Sequence, residues 1–462
     1  MIDLKNAIGT SVGESEPGAG SREELKAFLI DQKVEMIRLE YVDLLGVTRA
    51  KLLPVEMLDQ IMEDGIAFCA AIMAIGYDNS VAEVKGLSEY NYNDMKIVAD
   101  PTTLVPVPYL SNTVACTGDL YYQGRPMLQS PRWFLKSMIE KYRQLGLEPI
   151  SASELEFFLY KRGADGDWQP YTSHTGNCYT GNVRIDPSGY LSLLTQALKQ
   201  MNYNVLYMNH EFFPGQYEYN WMHGEALRVA DETAGFKEVC KDIAAQHGMM
   251  ATFMGRPTTD SGGSGCHFHI SLNDESGRNR FHDRGADREM SRLMRNFVGG
   301  LIAHARALTA FLAPTVNCYK RYRPDSFAPY YIGWGYDNRT TYIRIPEERG
   351  AATRVEVRAG SAAANPYLAL AGILAAGLDG IHHGIEPPEI VTSDLYHDQT
   401  RQEAIVPRSL FRALRELESD EWIREMAGKE LINNFIAVKD MEVESYINHV
   451  SDWEWNTYSY HV

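Results

Sequence analysis

A chain of 462 residues with 45% apolar and 23% charged side chains has enough material for two or three domains, or for one large domain beside a small one. Its formal net charge of −17 argues against a nucleic-acid binder, which would show a basic face. The six cysteines (Cys69, Cys116, Cys178, Cys240, Cys266, Cys318) are widely spaced and form no C-x-x-C pair, which is the usage of reduced thiols in a cytoplasmic protein.

Residues 1–20 are rich in Gly, Ser, Glu and Pro and read as a flexible tail, with no apolar run after a basic start to suggest a secretory signal. A helix is expected from the N-cap Ser21, with Glu23 and Glu24 in its first turn, to about residue 32. Alternation over 34–42 predicts a strand. The turn Asp43-Leu44-Leu45-Gly46 and the run 47–53 complete a hairpin, and a helix follows over 55–64. Strand pieces at 96–100 and 113–117 finish a small α+β domain covering 21–125. Ser130 and Pro131 cap a helix reaching about residue 145 and open the second domain, 126–462. There, charged strands alternate with helices over 188–201, 226–246, 290–312 and 365–384, and the acidic C-terminal end is helical. The most apolar stretch, 368–378, is too short to span a bilayer and reads as a buried helix, so no membrane partner is expected. The glycine-rich loop Gly262-Gly263-Ser264-Gly265 matches neither a P-loop nor a dinucleotide fingerprint.

The chemistry gathers on short strands. In Ser153-Glu154-Leu155-Glu156-Phe157-Phe158 the two-residue period puts both carboxylates on one face of an otherwise apolar segment. One such strand reads as a sheet face in water. The pattern recurs, however: His267 and His269 share a face, Arg354, Glu356 and Arg358 share another, Arg344 stands among β-formers, and Glu211 and Glu218 add two more acids. Together these segments read as a charged cavity lined by a sheet. Five carboxylates and one His exceed a tetrahedral zinc site and suit Mg²⁺ or Mn²⁺, divided naturally into two sites of three. Two metals beside Arg321, Arg339, Arg344, Arg354 and Arg358 form a layout for phosphoryl transfer.

These motifs, with Gly215-Gln216-Tyr217-Glu218, Asn317-Cys318-Tyr319-Lys320-Arg321, Asn338-Arg339 and Asn365-Pro366-Tyr367, resemble the glutamine synthetase family in order and spacing over most of the chain. The resemblance implies an α+β protein with an N-terminal β-grasp domain and a catalytic domain built on a curved antiparallel sheet, or half-barrel. It implies an ATP-dependent ligase that activates L-glutamate as γ-glutamyl phosphate, with two to three Mg²⁺ or Mn²⁺ ions per site. Glu156, Glu211 and Glu218 match the ligands of the glutamate-side metal; Glu154, His267 and Glu356 match those of the nucleotide-side metal. Arg339, Arg344 and Arg354 match phosphate contacts, and His269 and Ser271 match positions near the nucleotide. Arg321, Arg358 and Gly263 match the grip on glutamate. Stacked hexameric rings are implied, a homododecamer with each site shared between neighbouring subunits.

The departures lie at the nitrogen site. Phe327 stands where glutamine-forming members carry a Glu, and residues 68–75, which include Cys69 and Ala70, carry no acid where those members have Asp. An ammonium pocket needs carboxylates, whereas an apolar lining favours a substrate bearing carbon. The expected acceptor is therefore a primary alkyl- or arylamine such as isopropylamine or aniline. Ammonium, methylamine and polyamines remain as alternative acceptors, and a non-catalytic relative as the alternative to an enzyme. Gly262 also departs, standing where the family usually has Asn, and Asp394-Leu395-Tyr396-His397 resembles the family's adenylylation loop only loosely.

Overall fold

The computed structural model describes residues 19–181, 183–398 and 404–462; the expected tail lies almost wholly outside the described residues. Helix α1 (Ala19–Asp31) starts two residues before Ser21, which therefore lies inside the helix. Strand β1 (Met36–Val42) buries Ile37, Leu39 and Tyr41 and returns as β2 (Thr48–Pro54). Asp43 shapes the turn: its carboxylate accepts from the N–H groups of Leu45 (2.9 Å) and Val47 (3.0 Å) and from Arg49 Nε (2.8 Å). The helix expected over 55–64 is a 3₁₀ turn followed by α2 (Leu58–Glu63). Then come β3 (Ile66–Cys69), β4 (Asp94–Ala99), β5 (Val105–Pro106), β6 (Thr113–Tyr122) and β7 (Arg125–Pro126). The sheet runs β2-β1-β6-β4-β3, with β5 and β7 also on β6; β1 and β6 are parallel and the other pairs antiparallel, as a β-grasp arrangement requires.

Helix α3 (Pro131–Arg143) is capped by Ser130 as expected. The 16-residue strand β8 (Leu147–Arg162) follows, then β9 (Trp168–Pro170) and α4 (Tyr190–Gln200). Next are β10 (Val205–His210), β11 (Gln216–Trp221), β12 (Gly224–Glu225), α5 (Ala226–Gln246), β13 (Met249–Thr252) and β14 (Cys266–Asp274). Helices α6 (Arg292–Ala303) and α7 (Ala305–Leu312) precede three short strands, β15 (Trp334–Tyr336), β16 (Ile343–Ile345) and β17 (Val355–Val357). Helix α8 (Pro366–His383) is buried as far as Gly380. The chain closes with α9 (Leu410–Ser419), α10 (Glu421–Ala427), α11 (Lys429–Asn448) and α12 (Asp452–Tyr458).

The second sheet runs β10-β11-β8-β14-β17-β16-β15 and curls into a half-barrel, with β9, β12 and β13 pairing along β8. Its back is apolar. The ring of Phe157 lies 5.7–6.2 Å from those of Tyr217, Tyr219, Phe236 and Phe253. This packing locks the register of β8, and truncating Phe157 to Ala would cost about 3–5 kcal/mol. A fixed back face holds Glu154 and Glu156 on the open face.

The single helix expected over 290–312 is two helices that meet at His304. Its imidazole bridges Asp379 of α8 (2.8 Å) and Asp420 at the start of α10 (2.7 Å). Buried Arg132 pairs with Asp100 (2.8 Å), Asp119 (2.6 Å) and Asp231 (3.0 Å), tying the first sheet to α5. Among the described residues no helix is long and apolar enough to cross a membrane.

Candidate active site

The functional row follows directly from strand register. Glu218 of β11 faces Glu156 of β8, Glu154 faces His267 of β14, His269 faces Glu356 of β17, and Glu356 faces Arg344 of β16. His267 Nδ1 lies 3.1 Å from Glu154 Oε2 and 3.7 Å from Glu356 Oε1, and His269 Nε2 lies 2.8 Å from Glu154 Oε1. Potential ligand atoms of Glu154, Glu218 and His267 fall within 4.8 Å of one another, as do those of Glu154, His269 and Glu356. Thus His269, expected only near the nucleotide, stands as close to the carboxylates as His267 does. Glu211 sits just past the end of β10, not within a strand, and its carboxylate accepts from Asn209 Nδ2 (2.7 Å).

Charge is balanced on one side of this row and not on the other. Glu356 is fully buried and receives Arg344 on one carboxylate oxygen and Arg358 on the other. Burial alone would raise it; Arg358 and then the two imidazoles hold it down to about 2. The imidazoles likewise hold Glu154 well below the usual carboxylate range against the cost of burial. Burial, with Glu154 and Glu156 nearby, pushes Glu218 up to about 9, and burial with Glu156 pushes Glu211 up to about 7. Buried acids whose neighbours are further acids fit an oxygen-ligated divalent cation, which would supply the missing positive charge.

The glycine-rich loop passes between Glu156 and Arg321. The Gln216 side-chain amide donates both to Glu156 Oε2 and to the Gly263 carbonyl (3.0 Å each), and Gly265 N–H donates to Glu156 Oε2 (2.9 Å). A Cβ on Gly263 would stand 2.6 Å from Arg321 Cγ, so only glycine allows this approach. Arg321 and Arg358 are 4% and 5% exposed, and the Nε of each has no hydrogen-bond partner among the described residues. Buried guanidinium donors left over in this way suit the carboxylates of an amino-acid substrate.

Beside the row opens a cleft of about 350 Å³ lined by Glu154, Tyr207, Trp221, His269, Ser271 and Arg354, among others. It brings together three of the residues expected at the nucleotide, with Arg354 Nε donating to His269 Nδ1 (3.2 Å). Arg344 reaches Asp337 as well as Glu356. Arg339 is exposed and lines a second, wider cleft with Trp334, Asp337 and Asp394, apart from the cleft that holds Arg354.

At the mouth, Phe327 stacks on Phe212, with ring centroids 5.5 Å apart and planes 19° apart. The loop that carries Phe327 is tied down by Ser326 Oγ donating to the Arg321 carbonyl (2.9 Å) and by Tyr396 Oη donating to the Ala328 carbonyl (2.7 Å). Tyr396 is therefore a brace for this loop. Cys69 is exposed at the end of edge strand β3, where its thiol meets the Tyr92 carbonyl, and Ala70 is buried beside it. Within one chain no hydrogen bond or ring contact among the described residues links either of them to Phe327.

The sequence motifs include Gln216 but assign no role to it, nor to Phe212, Asn209 or Asn220. Asn220 Nδ2 donates to Glu218 Oε1 at 2.9 Å. Both asparagines lie two residues from the acid they orient, so the strand period that found the acids also contained their supports. The Phe212–Phe327 contact spans distant segments and left no local signal.

Family models match most of the chain. A model described as glutamine synthetase, catalytic domain, matches residues 128–458, and one described as glutamine synthetase N-terminal domain matches residues 24–126. A glutamine synthetase of Pyrococcus abyssi is 35% identical over 442 residues, covering 92% of this chain and 96% of the relative. One of Thermus thermophilus is 35% identical over 450 residues, covering 96% and 99%. A solved GmaS/ADP complex, GmaS being a gamma-glutamylmethylamide synthetase, superposes with a TM-score of 0.85 at 32% identity, covering 94% of this chain and 99% of that one. The apo form of GmaS gives a TM-score of 0.84. The chain belongs to the glutamine synthetase family and is an ATP-dependent ligase of that type.

Proposed function

We propose that this ligase joins the γ-carboxylate of L-glutamate to a primary amine with an apolar alkyl or aryl group, such as isopropylamine or aniline. The observation that carries the reading is Phe327, a half-exposed ring at the mouth where glutamine-forming members carry a carboxylate. The likeness to GmaS supports an amine as acceptor. Ammonium is the acceptor that the names of the curated relatives favour, yet no acid stands at position 327 or in 68–75 to receive it.

In this reading Arg321, Arg358 and the Gly263 backbone hold the carboxylates of glutamate, and Arg339, Arg344 and Arg354 face the phosphates, with His269 and Ser271 beside the nucleotide. A γ-carboxylate oxygen attacks the γ-phosphorus of ATP and ADP leaves. The amine nitrogen then attacks the γ-carbonyl carbon, phosphate leaves, and the nitrogen gives up one proton. Glu154, His267 and Glu356 with Glu156, Glu211 and Glu218 would hold two to three Mg²⁺ or Mn²⁺ ions, which neutralise phosphate charge. The four arginines Arg321, Arg339, Arg344 and Arg358 contribute positioning and charge, and no protein nucleophile is needed. The protein works in the cytoplasm as a homododecamer of two hexameric rings, where Cys69 and Ala70 of one subunit complete the amine pocket of its neighbour.

The test is ATP- and glutamate-dependent phosphate release with a panel of amines at saturating ATP and glutamate. Alkyl- or arylamines should exceed ammonium in kcat/KM. Ammonium as the best acceptor overturns the amine reading, and no phosphate release with any acceptor leaves the non-catalytic relative.

A further inference from the structure

Phe212 and Phe327 are 54% and 57% exposed, and their rings meet across the mouth from segments far apart in the chain. Large exposed rings gain when apolar surface covers them. Their placement is built in. Phe212 directly follows the buried Glu211, and Phe327 holds φ at +56°, a conformation that non-glycine residues rarely adopt. The hydrogen bonds from Ser326 and Tyr396 keep the loop in that shape, between Arg321, which grips glutamate, and Glu211.

We propose that the Phe212–Phe327 pair is one aromatic wall for the substituent of the amine, and that it selects arylamines over alkylammonium ions. The proposal rests on the amine reading above and adds Phe212 as a specificity residue. An alkylamine resembles a lysine side chain, with a pKa of about 10.4, and arrives as a cation that asks for a carboxylate. Neither ring offers one: Asp325, the acid nearest to Phe327 in sequence, is exposed and faces His397 (3.4 Å), and Glu211, beside Phe212, is buried against Asn209 and is a metal ligand in the reading above. An arylamine shares its nitrogen lone pair with its ring and arrives neutral. Its flat ring extends an offset stack, and its nitrogen needs no base at the wall before attacking the acyl phosphate.

The deciding experiment is steady-state kinetics with aniline, cyclohexylamine, isopropylamine and ammonium, using the wild type, Phe212→Ala, Phe212→Tyr, Phe327→Ala and the double alanine variant. Cyclohexylamine matches aniline in size but is protonated, so cation–π attraction to the wall would favour it. The wild type should use aniline at least about tenfold better in kcat/KM than cyclohexylamine. Phe212→Ala should raise the aniline KM at least about tenfold while moving the glutamate KM by less than about twofold, and Phe212→Tyr should retain aniline use. The double variant should lose no more than the worse single variant, because each ring acts through the other. Preference for ammonium in the wild type overturns the amine reading itself. Preference for some substituted amine, combined with cyclohexylamine matching aniline or an unchanged aniline KM in Phe212→Ala, overturns the wall alone. Thermal melting of each variant separates lost folding from lost recognition.

Discussion

The ring of Phe213 fills the space into which a side chain at Gly262 would grow: a Cβ there would lie 2.2 Å from its Cε2 and 2.4 Å from its Cδ2. The ring thus occupies volume that an Asn, the residue the family resemblance implies at position 262, would need. Gly262→Asn should therefore overpack the site and cost about 1–3 kcal/mol, read from urea midpoints. Adding Phe213→Ala should recover most of that loss. A fully stable Gly262→Asn single variant would contradict the exchange.

Gly263→Ala tests the loop beside Arg321. The new methyl would stand 3.1 Å from Arg321 Nε as well as 2.6 Å from Cγ. The guanidinium would have to turn away, so the glutamate KM should rise at least about tenfold while the ATP KM moves little. An equal rise in both constants would place the damage elsewhere.

His304 makes stability depend on pH. Burial lowers its pKa, but hydrogen bonds with Asp420 and Asp379 outweigh burial and hold it above the ordinary 6.5. A folded pKa above the unfolded one means that the stabilisation is full below 6.5 and is lost as pH rises through the folded value. The unfolding free energy of the wild type should fall as pH rises above 6.5 through the folded value, and His304→Gln should remove that component of the slope. At about pH 6, His304→Ala should cost about 1.5–3 kcal/mol. Identical pH profiles for wild type and variant would refute the assignment.

Divalent cations should stabilise the fold. Burial first, and then the neighbouring acids, push Glu211 and Glu218 up to about 7 and about 9. Mg²⁺ or Mn²⁺ at about one hundred times its Kd should add about 2.7 kcal/mol, seen as a higher Tm that a chelator reverses. Glu218→Gln should melt higher than the wild type without metal and gain less from it. A Tm indifferent to metal in the wild type would contradict a cation site here.

Much of the catalytic sheet could be read from residue order, because strands impose a two-residue period and that period sorts carboxylates from core residues. β8, β14 and β17 appeared in this way, and so did the row from Glu154 to Glu356. Local signals ran out where distant segments decide. The break at His304 depends on Asp379 and Asp420, residues 75 and 116 positions away. Glu211 read as part of a strand because its neighbours are β-formers, yet β10 ends at His210 and the backbone turns back at Gly215, where φ is +70°. Neither the Phe212–Phe327 stack nor the Tyr396 brace follows from periodicity, since both are loop-to-loop contacts.

β8 pairs with β9, β11, β12, β13 and β14, and it carries both Glu154 and Glu156. A change that shifts this strand moves Glu154 and Glu156 together, along with the Glu218 and His267 that face them, so this row is hard to alter by small steps. The rings at 212 and 327 hang from loops outside the sheet, where substitutions leave the register of β8 untouched. Under the proposed function, a few loop mutations would then suffice to exchange one nitrogen donor for another while the carboxylate row stays intact.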